Sequence, residues 1–360
     1  MKHLPLNNMH EGLGARMGEF AGWYMPMHYG SAVGEVEFVR RRAGLFDISH
    51  MGRLELSGSG ASRLLLHLCC NNVDTLQDGQ AQYTLFLNSS GGVIDDAVVY
   101  RNSSDQYYAV VNASNTERDL KWLSTHLTDD VLLANWTRDT VFLALQGPLS
   151  SQIMENVGAG AAVSLKRFFF TRAVIGNTPC VISRTGYTGE DGFEIAARAE
   201  DGEQLWRTLR EIGGDDLAPC GLASRDVLRI EAGYPLYGHE IDNVTNPVEA
   251  GLMRFVKIDD RHFIGKAALV EATSRPQPRR LLGLVMDGRS VPRDGHLIFA
   301  EGNQIGYVSS GTFSPTIGRG IGLAFIERDM AREGQRVEVQ VGDNRRAGTL
   351  KKPPLYARRD

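Results

Sequence analysis

The chain is poor in the residues that mark the commonest chemistries. Its four cysteines, Cys69, Cys70, Cys180 and Cys220, lack C-x-x-C spacing, which excludes a zinc ribbon or a thioredoxin-type redox pair. They read as buried free thiols in a reducing compartment. No stretch approaches the roughly 20 apolar residues of a membrane-spanning helix. The opening Met1-Lys2-His3-Leu4-Pro5 has no apolar core of the length a signal peptide needs, so the expected location is cytoplasmic, with no membrane partner. Charge of one sign is also missing. Lys and Arg number 39 against 43 Asp and Glu, a net charge of −4, which gives no electrostatic reason to expect nucleic acid. The nine histidines include no His-x-x-x-His pair, so no metal is expected and His50 and His239 read as structural. A Gly-x-Ser-x-Gly elbow and a paired Cys/His signature are absent too, which argues against nucleophilic catalysis.

What remains is an ordinary globular composition, 42% hydrophobic and 23% charged over 360 residues, long enough for two or three domains. Residues 10–30 mix glycines with Phe20, Trp23, Tyr24, Met25, Met27 and Tyr29 in no clean period, as in a loop laid over a core or lining a pocket. Helices are predicted over 32–43, 61–68, 114–127, 149–157 and 202–212 from apolar spacing. Strands are predicted at 54–56, 83–87, 98–100, 107–111, 141–145, 168–170, 180–182 and 195–197. This alternation repeats no simple βα unit, so the expected fold class is α+β. Residues 272–280 turn polar with two prolines and read as a linker. Beyond them, short strands at 281–286, 296–299, 304–309, 321–326 and 336–341 describe a separate all-β module, a small barrel or sandwich.

The most informative stretch is Gly91-Gly92-Val93-Ile94-Asp95-Asp96-Ala97-Val98-Val99-Tyr100. With 83–87 it forms a hairpin whose turn spans Asn88 to Gly92. Two adjacent carboxylates at the mouth of an apolar strand are either exposed turn residues or buried groups that need partners. Alternation puts Asp96, Val98 and Tyr100 on one face, and Asp95, Ala97 and Val99 on the other. A second stretch, Ser183-Arg184-Thr185-Gly186-Tyr187-Thr188-Gly189-Glu190-Asp191-Gly192-Phe193-Glu194, is a sharply turned loop. It lacks the lysine of a phosphate cradle, and its three acids suit a ligand that presents N–H donors. The helix-like Cys220 to Gly233 intersperses Arg225, Asp226, Arg229 and Glu231 among apolar residues, as helical ion pairs or a binding face would. Asn246-Pro247-Val248-Glu249-Ala250-Gly251-Leu252 completes the set.

Together these stretches resemble the aminomethyltransferase family, the T-protein of the glycine cleavage system. The resemblance also covers Phe46-Asp47-Ile48-Ser49-His50-Met51, Gly311 to Thr316 and Lys351-Lys352-Pro353, and runs from about residue 4 to 356. It implies a three-domain folate-binding fold with a C-terminal all-β barrel. Residues 1–50 plus 138–230 would interleave with 51–137 plus 231–275, and 281–360 would form the barrel. It implies transfer of a one-carbon unit from the aminomethyl-dihydrolipoyl arm of a lipoylated H-protein to tetrahydrofolate, with release of ammonia. Tetrahydrofolate would be the acceptor substrate.

The family's catalytic aspartate matches Asp96, which would orient the folate nitrogens and stabilise developing positive charge. Asp95 would face away, held by backbone or a cation. Glu194 would accept two hydrogen bonds from the pterin edge, Arg225 would complete polar recognition, and Tyr83, Tyr100 and Tyr187 would wall the ring system. The resemblance adds Asn112 and Tyr356 as folate-binding positions. The chain departs from the family at Arg167-Phe168-Phe169-Phe170, where tyrosine is expected, and at Met253-Arg254, where an aromatic is common. Competing readings are a tetrahydrofolate-dependent demethylase of a small methylated donor, which would look less like 183–194, and a non-catalytic folate-binding maturation protein. The latter would carry a cysteine within the motif loop, whereas Cys180 lies outside it.

Overall fold

A computed structural model describes residues 1–258 and 260–358. Three sheets and a closed barrel make up the architecture. One six-stranded sheet draws Ala43–Asp47, Thr140–Gln146, Phe170–Ile175, Thr178–Ser183, Gly192–Arg198 and Leu217–Cys220 from distant parts of the chain. Its centre is Thr140–Gln146, nearly every residue of which is buried. Val141, Leu143 and Leu145 enter the core under the Gly202–Gly213 helix. Phe142 and Ala144 enter a second core with Val36 and Val39 of the Ala32–Arg41 helix. A strand buried on both faces reads as an unbroken apolar run, which is how its sequence looks.

The second sheet is wholly antiparallel: Gln80–Leu87, Val93–Ser103, Gln106–Val111, Gly52–Ser57 and Leu132–Asn135, in that order. Here the alternation has consequences. Ala97 and Val99 pack with Leu65, Leu68 and Leu123 beneath the Ala61–Leu68 and Thr116–Ser124 helices. Val98 and Tyr100 pack on the opposite face, towards Phe168 and towards Phe170 at the six-stranded sheet's outer edge. The acid-bearing strand is longer than its apolar run suggests, so both acids lie within it, Asp96 opposite Leu85 and Asp95 opposite Phe86. The barrel consists of Arg279–Met286, Leu297–Ala300, Asn303–Ser314, Arg319–Glu327, Arg336–Val341 and Asn344–Lys351, with Leu284, Ile298, Val308, Ile326, Val339 and Leu350 inside.

The Leu222–Ala232 helix lies at the centre of the molecule, with eight of its residues buried. It ends at Gly233 in the left-handed conformation (φ 73°), where an added Cβ would meet Pro353 at 2.5 Å. Only glycine satisfies both conditions.

Four local expectations are corrected. Residues 10–30 contain a hairpin of Arg16–Phe20 and Trp23–His28, whose strands pair across a glycine-containing turn. The linker begins at Arg275, because Lys266–Ser274 is helical with Leu269 and Ala272 buried. Phe168 is no strand residue: it takes φ 61°, and the strand starts at Phe170. The barrel has a sixth strand, Asn344–Lys351, too polar to read as one.

Candidate active site

A cavity of about 1920 Å³ opens where the six-stranded sheet, the five-stranded sheet, the central helix, the barrel and the C-terminal tail meet. The second sheet contributes Tyr83, Asp96, Val98 and Asn112, the glycine-rich loop contributes Thr185, Gly186 and Tyr187, and the Gly192–Arg198 strand after it contributes Glu194. Arg225 and Arg229 enter from the central helix, and Tyr356 from the tail.

Asp96 presents its carboxylate to this cavity between two donors. Tyr83 donates its hydroxyl to Oδ2 at 2.9 Å and Asn112 donates Nδ2 to Oδ1 at 2.6 Å. Burial and the neighbouring Asp95 push its carboxyl up to about 7, against the pull of those two donors. Asp95 points the other way and is fully buried. It accepts from Asn112 N at 3.0 Å, Asn112 Nδ2 at 2.8 Å and Asn115 Nδ2 at 2.6 Å. Amide donors hold it, not a cation. Asn112 is therefore the hinge between the two acids.

Across the cavity Glu194 is buried and accepts a short hydrogen bond from the Thr185 hydroxyl, itself 2.7 Å from Ser183 Oγ. Burial raises its carboxyl, opposed by Thr185 and Arg225. Arg225 is also buried, its Nη1 has no partner among the described residues, and burial lowers its pKa. Its guanidinium sits 5.0 Å from the Tyr187 ring centroid. An unanswered buried guanidinium N–H beside a carboxylate suits a polar, flat ligand that donates on one edge and accepts on another. Tyr187 is fixed by its hydroxyl, which donates to the Pro235 carbonyl, and by stacking on Tyr234 at 5.6 Å. Tyr83 packs against Phe255 with centroids 4.5 Å apart. Phe255 thus supplies the ring absent at Met253-Arg254.

Tyr100 does not line the cavity, contrary to expectation. It lies deeper on the strand, edge-on to Phe170 at 5.5 Å, with its hydroxyl buried near Glu194. The lining from this strand ends at Val98, so the effect of Tyr100 on a bound ring system would pass through Glu194. Tyr356 lines the mouth with the Arg40 guanidinium 4.0 Å from its ring centroid.

Arg40 carries no local signal, and His50 and Arg229 show in the sequence only as a structural histidine and a helical charge. Arg40 bonds Glu190 at 2.7 Å, Thr188 O at 2.9 Å and Glu231 at 2.6 Å, joining three segments far apart in sequence. His50 lines the cavity as a buried imidazole held neutral, its pKa lowered to about 3 by burial and by Arg225. Arg229 is clamped by Glu240 at 2.9 Å and Ser310 at 2.7 Å. Among the described residues no group of three or more His, Cys, Asp or Glu is arranged to hold a metal ion, and no helix is long and apolar enough to cross a membrane.

The family model described as the GCVT N-terminal domain matches residues 6–260, and that of the glycine cleavage T-protein C-terminal barrel domain matches 279–357. An aminomethyltransferase of Geobacillus kaustophilus (strain HTA426) is 42% identical over 361 residues, covering 99% of each chain. One from Halalkalibacterium halodurans is 40% identical over 360 residues, again 99% of each. The crystal structure of the glycine cleavage system aminomethyltransferase T from Bartonella henselae superposes with a TM-score of 0.93 at 32% identity, covering 99% of both chains.

Proposed function

The chain belongs to the aminomethyltransferase family of the glycine cleavage system, and from that premise we propose how its cavity carries out the reaction. The enzyme is a tetrahydrofolate-dependent aminomethyltransferase. The acceptor is tetrahydrofolate, and the donor is the aminomethyl group on the dihydrolipoyl arm of a lipoylated H-protein. Glu194 accepts the pterin's ring N–H and exocyclic amine, and the free N–H of Arg225 meets an acceptor on the same ring system. Tyr83, Phe255 and Tyr187 form its apolar walls.

Asp96 is then the group beside the reacting nitrogens. As N5 and then N10 bond to the aminomethyl carbon, its bonds to nitrogen and to the dihydrolipoyl sulfur break, and the two folate N–H protons leave with ammonia and the freed thiol. Positive charge develops on the way, and a carboxylate fixed by Tyr83 and Asn112 stabilises it without reorganising. Held near the operating pH, the same carboxyl can also take or return a proton. The observation that carries this reading is the Asp96 carboxylate, pre-oriented by two donors on the cavity wall that faces Glu194 and Arg225.

The test is a tetrahydrofolate assay with interchangeable donors. Aminomethylated, lipoylated H-protein is expected to yield methylenetetrahydrofolate and ammonia, whereas sarcosine or dimethylglycine yields neither. Turnover with the small methylated donors alone would move the protein to the demethylases, and no turnover with any donor would leave it a folate-binding protein.

A further inference from the structure

The Thr116–Ser124 helix carries an acid where its spacing calls for an apolar residue. Asp119 lies three residues after Thr116 and four before Leu123, on the stripe that packs beneath the second sheet, and it is fully buried. Neither of its carboxylate oxygens meets an N–H or O–H donor among the described residues. What it does meet, within hydrogen-bonding reach, is the carboxylate of Asp95.

Two buried carboxyls in contact cannot both be ionised, so one keeps a proton. The donors decide which. Three N–H groups converge on Asp95, as they would on an anion, and none reaches Asp119. The other charged and titratable groups facing the pair do not change this. Arg118 on the same helix donates to the Ile94 carbonyl and lies over the Tyr237 ring at 4.7 Å. Asp96 follows Asp95 on the strand, with Tyr83 beside it and Tyr187 across the cavity. Tyr237 and Asp242 belong to the segment packed over Arg118 and Val93.

We propose that Asp119 is a positioning residue for the transfer reaction: a neutral acid that donates to Asp95, keeps Asp95 ionised and thereby fixes, through Asn112, the orientation and charge surroundings of Asp96. The proposal rests on the reading of Asp96 as the catalytic carboxylate. Asn112 Nδ2 donates to Asp95 Oδ1 and Asp96 Oδ1 together, so any change in Asp95 is felt at Asp96 directly. Burial and Asp95 carry Asp119 up to about 10, and the Asp95 charge is what adds to burial in raising Asp96.

Two measurements test this. In enzyme labelled with 13C at the aspartate carboxyls, one carboxyl is expected to remain protonated at about pH 8, where ordinary aspartates are ionised, and to vanish in D119N. In the pH profile of kcat, D119N keeps the acid limb in place, because an amide N–H still donates to Asp95. In D119L that donor is gone, Asp95 takes up the proton itself and no longer repels a charge on Asp96. The acid limb then moves down by about one pH unit. Absence of a protonated carboxyl that D119N removes, or an unmoved limb in D119L, overturns the assignment. Should D119L fail to fold, the labelled-carboxyl measurement decides alone. It also needs no substrate, so a wild-type enzyme without transfer activity would sink the functional reading while leaving the state of Asp119 measurable.

Discussion

Asp96 and Glu194 are carboxylates that line one cavity from two different sheets, yet the reaction asks different things of them. Glu194 is braced by Thr185 and faces the edge that recognises a ligand in its ground state. Asp96 is braced by Tyr83 and Asn112 and faces charge that exists only as the reaction proceeds. An interaction made only in the transition state changes kcat, and one made equally in both states changes affinity. Asp96→Asn keeps the shape and loses the charge. Transfer is expected to fall about 10²–10³-fold with folate affinity changed less than about threefold. Glu194→Gln replaces one acceptor by a donor, so folate affinity should weaken about tenfold or more while kcat moves less. Kinetics with titrated tetrahydrofolate separate the two. Loss of transfer in Asp95→Asn with none in Asp96→Asn would overturn the assignment.

At the scale of elements, the hairpin Gln80–Leu87 and Val93–Ser103 positions this chemistry, and its turn is held from outside. Val93 N donates to Asp242 O at 2.8 Å, and Asn88 Nδ2 donates to Asn243 O at 2.8 Å. The Asn243 carbonyl lies so close that a Cβ on Gly92 would sit 1.9 Å from it. Gly92→Ala must therefore push backbone from backbone, at a cost of about 1–3 kcal/mol, and shift the strand just before the acids. A lowered denaturant midpoint together with reduced transfer checks it; a variant as stable as wild type would show that the 242–245 segment yields freely.

This hairpin was legible in the sequence because its signals are local: a glycine turn, an apolar strand, a period of two. The same period separated Asp95 from Asp96, but it could not say that Tyr100 would stop short of the cavity. That depends on where Phe170, from another sheet, comes to rest. Asp119 does carry a signal, an acid on a buried helical stripe, but beside Glu117, Arg118 and Lys121 it looks like one more charge of a solvated face. Arg40 carries none. Its position on the Ala32–Arg41 helix is that of any solvated arginine, and its partners lie about 150 and 190 residues away.

Those distant partners matter at the scale of the whole molecule. Arg40 reaches Glu190 of the glycine-rich loop and Glu231 of the central helix, and its guanidinium covers Tyr356 of the tail. Glu231 in turn accepts from Ser314 of the barrel, while its backbone carbonyl takes Leu355 N at 2.9 Å and Tyr356 N at 2.8 Å. One cation thus ties together the first sheet's loop, the central helix, the barrel and the tail around a shared cavity. All three side chains are buried, exposed by 6% for Arg40, 2% for Glu190 and 0% for Glu231. A buried ion pair contributes little against an apolar substitute, but removing one partner strands the other's charge. Arg40→Met strands two carboxylates and is expected to cost about 3–5 kcal/mol. It should also weaken folate binding, because the loop bearing Tyr187 and the tail bearing Tyr356 lose their common anchor. Glu231→Gln retains an acceptor for Arg40 and should cost about 1–2 kcal/mol. Denaturant unfolding of both variants, read beside folate titration, tests the asymmetry. Equal losses, or an Arg40→Met enzyme with unaltered folate affinity, would mean that the cavity walls hold their places without this clamp.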